Sequence, residues 1–189
     1  TYGISQPADL TPGPVPLALD GLALDVRTPN GSVAIRSPLV GRPNVYNILA
    51  ATAAAVALDL PLEAVARGVH ALPGVPGRFE VVSSSTDNVT VVVDYAHTDD
   101  ALRNLLETAR PLAGKRLITV FGCGGDRDKT KRPRMGAVAE RYSTWTIVTS
   151  DNPRSEVPEQ ILADIRAGMT GDRVETIVDR REAIAKAIG

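Results

Sequence analysis

Two rhythms of apolar positions divide this chain. Residues 22–28 and 32–37 alternate apolar and polar side chains, the period of a half-buried strand, and Pro29-Asn30-Gly31 between them has the chemistry of a hairpin turn. Residues 45–58 are Ala-rich, with Ile48, Leu49, Ala51, Thr52, Ala55 and Val56 suited to a helix packed at close range. Pro61 opens a second helix to about residue 71, with Leu62, Val65, Ala66 and Val69 on one face. Prolines and glycines then crowd residues 72–77 and break every pattern, which places a domain boundary near residue 77.

Beyond the boundary the rhythm changes. The β-branched run 89–93 predicts the first strand of a new sheet. Residues 99–110 carry Leu102, Leu105, Leu106 and Ala109 at helical spacing, with Thr98 as N-cap and acids in the first turn. Strands at 116–121, 145–149 and 174–178 alternate with helices at 133–142, 158–168 and 180–188. Strands alternating with helices build a parallel sheet, so the fold class is α/β: a Rossmann-like C-terminal domain with a mostly parallel sheet, preceded by a hairpin plus helices.

Composition narrows the function classes. The 189 residues are 43% hydrophobic and 23% charged with a formal net charge of -1, which points to neither a nucleic-acid nor a membrane partner. The single cysteine, Cys123, excludes an internal disulfide and fits a reducing compartment. No initiator methionine or signal-like start is present, and Gly189 follows directly on a helical pattern, so the sequence is expected to be a piece of a longer chain.

Candidate chemistry gathers at strand ends, where open α/β sheets bind ligands. After strand 145–149 comes Asp151-Asn152-Pro153-Arg154. Asp151 can hold an ammonium, Arg154 can clamp a carboxylate through two parallel hydrogen bonds, Asn152 can donate and accept, and Pro153 stiffens the turn. Such a set suits a zwitterion. After strand 116–121 comes Gly122-Cys123-Gly124-Gly125-Asp126-Arg127-Asp128, which is neither a Walker A loop nor a dinucleotide fingerprint. Two readings stand for its glycines: close approach of backbone to a ligand, or a tight strand-to-helix turn. The basic residues Arg127, Lys129, Lys131, Arg132 and Arg134 read as a solvated loop, or as a partner for the turn at 151–154 across one crevice, Arg127 supplying a second carboxylate clamp. Asp94 at a strand end suits ribose hydroxyls. His97 and His70 are the two histidines, and His70 reads as structural. Arg78 is a linker salt bridge or a phosphate ligand. Asn44 and Asn47 are helix caps or, for Asn47, a base-recognising amide. Cys123 has no base beside it in the sequence and reads as a small residue hugging the backbone.

These residues fall into ordered motifs. Gly41-Arg42-Pro43-Asn44-Val45-Tyr46-Asn47, Gly77-Arg78-Phe79-Glu80, Asp94-Tyr95-Ala96-His97-Thr98, residues 122–133 and Asp151-Asn152-Pro153-Arg154-Ser155-Glu156 together resemble the Mur ligases, ATP-dependent amide-bond ligases of peptidoglycan biosynthesis, and most nearly their meso-diaminopimelate-adding branch. The resemblance implies that residues 1–76 are the C-terminal part of a central ATPase domain and 77–189 a truncated C-terminal Rossmann-like domain. It implies ATP and Mg2+ as cofactors, and meso-diaminopimelate and UDP-MurNAc-L-Ala-D-Glu as small-molecule substrates, in the bacterial cytoplasm. Asn47 would then meet adenine, Arg78 the phosphates and Asp94 the ribose, with Asn44 and His97 lining the same site. Arg127, Asp151, Asn152, Pro153 and Arg154 would grip diaminopimelate, whose second amino-acid end lysine lacks. Lysine-adding relatives lack the arginine at the position of Arg154.

Some family features are absent from these 189 residues. The phosphate loop and the lysine and carboxylates that hold magnesium are expected upstream of Thr1, and a Gly-Lys-Gly-His-Glu segment downstream. The chain alone is therefore expected not to ligate, and no catalytic residue is assigned within it. Pro43 stands where the family favours phenylalanine, Asp99 where it favours proline, and Val157 where an aspartate often caps the next helix. A folylpolyglutamate- or cyanophycin-type ligase and a non-catalytic nucleotide-binding Rossmann module remain the alternatives. The Asp-Asn-Pro-Arg turn argues against the first of these.

Overall fold

The computed structural model describes residues 1–84 and 86–189, which form two compact units, Thr1–Asp94 and Tyr95–Gly189.

In the first unit, β1 (Thr11–Pro12), β2 (Leu22–Thr28) and β3 (Gly31–Ser37) make an antiparallel sheet. Alternation along β2 is strict: Leu22, Leu24, Val26 and Thr28 are buried and the residues between them exposed, so one face of the sheet is covered. The turn centres on Pro29 and Asn30, with Thr28 paired to Gly31 at its base, one residue earlier than the Asn-Gly signal suggests. Gly31 takes φ 120°, a conformation open to glycine, and Thr28 Oγ1 donates to its carbonyl at 2.8 Å. Helix α1 (Arg42–Ala57) buries Val45, Ile48, Leu49 and Thr52, and α2 (Leu62–Ala71) packs on β3 through a face that includes Val65. Val45, Ile48 and Leu49 share one core with the sheet's inner face, and Ala66 and Val69 of α2 pack against it.

Strands β4 (Glu80–Val81) and β5 (Val92–Val93) pair antiparallel, as a separate hairpin of this unit. The expectation that 89–93 opens the parallel sheet is thus corrected. Antiparallel partners need no crossover helix, and the segment at 80–81 lies just upstream to pair with. Val82 N–H donating to the Val91 carbonyl at 2.9 Å extends the contact.

In the second unit, α3 (Asp99–Ala109) is capped as its sequence predicts, Thr98 Oγ1 accepting from Ala101 N–H at 3.2 Å. Strands β6 (Ile118–Phe121), β7 (Trp145–Val148) and β8 (Val174–Thr176) form a parallel sheet in chain order, with Ile118 opposite Trp145 and Phe121 opposite Val148. Thr146, Ile147 and Val148 are all buried, the mark of a strand covered on both faces. Helices α4 (Lys131–Tyr142) and α5 (Pro158–Arg166) pack with α3 around Phe121, Met135, Val148, Ile161 and Ile165, while α6 (Arg180–Ile188) lies on β6 and β7. This register brings the carboxyl ends of β6 and β7 level and sets their following loops side by side. Among the described residues no helix is long and apolar enough to cross a membrane.

Candidate functional site

The loop after β6 and the turn after β7 are stitched together. Gly125 N–H donates to the Asn152 carbonyl at 2.8 Å, and Asp126 N–H to Glu156 Oε1 at 2.7 Å. In return Ser155 Oγ donates to Asp126 Oδ1 at 2.7 Å and Ser155 N–H to Asp126 Oδ2 at 3.2 Å. These donors hold the Asp126 carboxyl below its ordinary range. Gly122 and Gly125 decide between the two readings of the glycine loop. A Cβ on Gly122 would overlap the Thr149 carbonyl oxygen, and one on Gly125 the Pro153 carbonyl oxygen. The close approach at these two glycines is to the neighbouring turn.

Arg154 is the pivot of that turn. Its backbone sits at φ 52°, and Asp126 opposite sits at φ 51°, left-handed conformations that cost non-glycine residues energy and persist only where surrounding bonds impose them. Arg154 Nη1 donates to the Gly125 carbonyl at 2.5 Å, which orients the guanidinium through one of its terminal nitrogens. Asp151 and Asn152 are exposed and Pro153 is half-buried. Arg127 is exposed and folds back to its own loop, Nη1 donating to the Asp126 carbonyl at 3.1 Å. All five residues of the amino-acid set therefore lie in one unit, on two adjoining loops.

Within the basic run Arg127, Lys129 and Arg134 are exposed, as a solvated loop would have them, and Arg132 is the exception. Its side chain is fully buried, with Nη1 donating to Glu156 Oε2 at 3.0 Å and Asp164 Oδ2 at 2.8 Å, and Nη2 to Glu156 Oε1 at 2.8 Å. Arg132 Nη2 also reaches the Gly124 carbonyl at 3.4 Å. Lys129, exposed, adds an ion pair to Glu156 at 2.9 Å. Arg132, Lys129 and the Asp126 N–H hold the Glu156 carboxyl far below the ordinary carboxylate range, and Glu156 and Asp164 in turn raise the Arg132 guanidinium. The signal that could have found Arg132 is periodicity: it shares the helical stripe of Met135, Gly136 and Ala139, all buried.

Cys123 is buried, its thiol is pushed up to about 11 by desolvation, and Sγ faces Met135 Sδ at 3.6 Å, which suits packing rather than nucleophilic attack. His97 is exposed. Its Nδ1 lies 3.0 Å from the Tyr95 carbonyl, which can only accept, so Nδ1 carries the proton and Nε2 points elsewhere. Lys131 Nζ donates to the His97 carbonyl at 2.6 Å.

The remaining nucleotide candidates lie in the first unit. Asn44 does not cap α1: Gly41 takes that position at φ 92°, and Asn44 Nδ2 instead donates back to the Val40 carbonyl at 2.8 Å. Asn47, one turn on and exposed, donates from Nδ2 to Asn44 Oδ1 at 3.0 Å. Asp94 Oδ2 accepts from Phe79 N–H at 2.8 Å, and Glu80 Oε2 from Gly77 N–H at 2.7 Å, so two carboxylates shape the turn that carries Arg78. Val40, Arg78 and Phe79 line one cleft of about 400 Å³. Asn44 through Val40, and Asp94 through Phe79, are bonded to its walls. His70 is exposed on α2. Among the described residues no group of three or more His, Cys, Asp or Glu is placed to hold a metal.

Comparison with known proteins follows the motifs. Residues 77–189 match the family described as Mur ligase, glutamate ligase domain. A UDP-N-acetylmuramoyl-L-alanyl-D-glutamate--2,6-diaminopimelate ligase of Gloeobacter violaceus is 51% identical over 100% of this chain and 39% of its own length. A solved structure of a ligase of that name is 43% identical with a TM-score of 0.66, covering 97% of this chain and 38% of its own. Mycobacterium tuberculosis folylpolyglutamate synthase complexed with ADP is 26% identical with a TM-score of 0.75, covering 95% and 40%. Fold likeness thus does not separate the branches, whereas identity favours one of them. The chain spans about 39% of the length of the Gloeobacter relative it matches. With more than half of its residues matching, the chain belongs to the Mur ligase family.

Proposed function

We propose that this chain is the amino-acid-selecting part, and a share of the nucleotide site, of an ATP-dependent ligase that adds meso-diaminopimelate to UDP-MurNAc-L-Ala-D-Glu. The observation that carries the reading is Arg154: a guanidinium anchored through Nη1 on the Gly125 carbonyl, in the turn after a parallel strand that also carries Asp151. Half-identity to relatives bearing that ligase's name supports it. Residues 1–76 are the end of the central ATPase domain in this reading, and 77–189 belong to the C-terminal domain.

In the reaction, ATP transfers its γ-phosphoryl group to the terminal carboxylate of the dipeptide. The amine of diaminopimelate attacks the acyl-phosphate carbon, the amide forms, and inorganic phosphate leaves. Arg154 takes the distal carboxylate of diaminopimelate and Arg127 a second one, while Asp151 holds an ammonium, with Asn152 donating and accepting beside it and Pro153 fixing the turn. Lysine offers Arg154 no carboxylate and leaves its fork unpaired. Asn47 meets adenine, Arg78 the phosphates and Asp94 the ribose, and the family resemblance assigns Asn44 and His97 to the same nucleotide. The 189 residues hold no phosphate loop, so ATP-dependent ligation by this chain alone is not expected.

The test is Arg154→Ala in the ligase that carries this chain. Two charge-assisted hydrogen bonds at about 1.5–3 kcal/mol each predict a KM for diaminopimelate raised by about a hundredfold or more. The KM for ATP should stay within about twofold, because no ATP contact is removed. Equal effects on both substrates would contradict the assignment.

A further inference from the structure

We propose that Arg132 and Glu156 are positioning residues for amino-acid selection, acting through Arg154 without touching substrate. The inference rests on the reading that the 151–154 turn takes diaminopimelate. Glu156 sits two residues beyond Arg154, at the end of the same turn. One of its oxygens accepts from the backbone of Asp126 at 2.7 Å, and both accept from Arg132. Arg132 is fully buried and is itself fixed by Asp164 on α5 and reaches the Gly124 carbonyl at 3.4 Å. A single buried guanidinium thus joins α4, α5, the glycine loop and the end of the selector turn.

The geometry gives this network a task that packing alone does not. Arg154 and Asp126 both hold left-handed backbones, and neither is glycine. Such conformations relax unless their neighbours impose them. Asp126 is held by Glu156 through its N–H and by Ser155 through its carboxylate, and Arg154 lies directly between Pro153 and Ser155 in the same stitched turn. With Glu156 fixed by Arg132, the Gly125 carbonyl stays where it meets Arg154 Nη1. The fork then points one way before substrate arrives, and the cost of ordering it is met in folding rather than binding.

The decisive experiment is a double-mutant cycle in the ligase that carries this chain, using Glu156→Gln, Arg154→Ala and the pair. Glu156→Gln keeps the side chain's outline and removes its charge, and should raise the KM for diaminopimelate about tenfold with the KM for ATP within about twofold. Arg132→Lys should act in the same direction, because one ammonium cannot bridge Glu156 and Asp164 as a guanidinium does. In the Arg154→Ala background, Glu156→Gln should add less than about twofold, since the group it positions is gone. A folded Glu156→Gln enzyme with unchanged KM for diaminopimelate, or full additivity in the cycle, would overturn the proposal. If Arg154→Ala itself leaves that KM unchanged, the underlying functional reading fails instead. Should Glu156→Gln not fold, Asp164→Asn, which loosens the hold on Arg132 and leaves the turn's own residues in place, tests the same linkage, and an unchanged KM for diaminopimelate there overturns it equally.

Discussion

The two units hold their candidate residues by different means. In the first, the bonds are mostly local: Asn44 to Val40, Asn47 to Asn44, Glu80 to Gly77, with Asp94 reaching fifteen positions back to Phe79. In the second, the bonds that shape the selector turn span 24 to 32 positions, because the loops after two neighbouring parallel strands are separated along the chain by a crossover helix and a strand. Local bonds set a residue on its own element, and non-local bonds set one element against another. Left-handed non-glycine backbone occurs with both, at Asp59 and Phe79 in the first unit and at Asp126 and Arg154 in the second, but only in the second does it lie between two loops bonded across the sheet.

Glycine substitutions are the strongest way to break this contrast. Gly125→Ala puts a methyl group into the Pro153 carbonyl oxygen, with backbone on both sides and no flexible side chain to yield. The expected loss is about 1–3 kcal/mol, the range for forced overpacking, and toward its upper end because only backbone can yield. Gly68→Ala on exposed α2 meets nothing within 4 Å and should stabilise by about 0.8–1 kcal/mol, the helix propensity difference. Urea denaturation followed by circular dichroism measures both. The single tryptophan, Trp145 on β7, reports the second unit by fluorescence. A Gly125→Ala protein as stable as the parent would mean the two loops do not abut.

The same contrast explains what could be read from the sequence. The hairpin at 22–37 and the helices at 42–57, 62–71 and 99–109 follow from local period and capping, and each appears within a few residues of its expected place. The level ends of β6 and β7 follow from strand-helix alternation, and they bring residues 122–128 beside 151–156. Arg132 did not stand out, because in a run with Arg127, Lys129, Lys131 and Arg134 its charge looks like solvated surface. Its two carboxylate partners lie 24 and 32 positions away, and no local rule pairs them. The pairing of β4 with β5 is hidden from the sequence for a related reason: a β-branched run specifies a strand but not the sheet it joins.

Acid should separate the units next. Asp126, Asp128, Glu140, Glu156 and Asp164, all in the second unit, are held below their ordinary values, first by hydrogen bonds from Ser155, Thr130, Thr170 and, for the last two, Arg132. A carboxylate depressed on folding contributes stability that is complete above its unfolded value, 4.5 for Glu156 and 3.8 for Asp164, and is lost as pH falls through the folded value. The urea midpoint seen by Trp145 should therefore drop as pH is lowered from about 5 to about 3. Glu156→Gln should flatten that slope while lowering the midpoint at neutral pH. A flat profile in the parent protein would show that the network contributes no proton-linked stability.

The smallest expected effect lies at the two helix starts that follow β7 and β8. Helix α6 begins at Asp179, whose Oδ1 accepts from Glu182 N–H at 2.9 Å. Helix α5 begins at Val157, which is 62% exposed and offers no side-chain acceptor to the first turn. Val157→Asp would supply that acceptor and place a negative charge at the positive end of the helix dipole. Little apolar burial is lost, but Glu156 and Glu159 flank the new charge and offset part of the gain. A stabilisation of about 0.5–1 kcal/mol is expected. Val157→Ser, which caps without charge, should match or exceed it if that repulsion matters. Midpoints read through Trp145 would order the three proteins, and a destabilised Val157→Ser would show that the exposed valine does more than fill a missing cap.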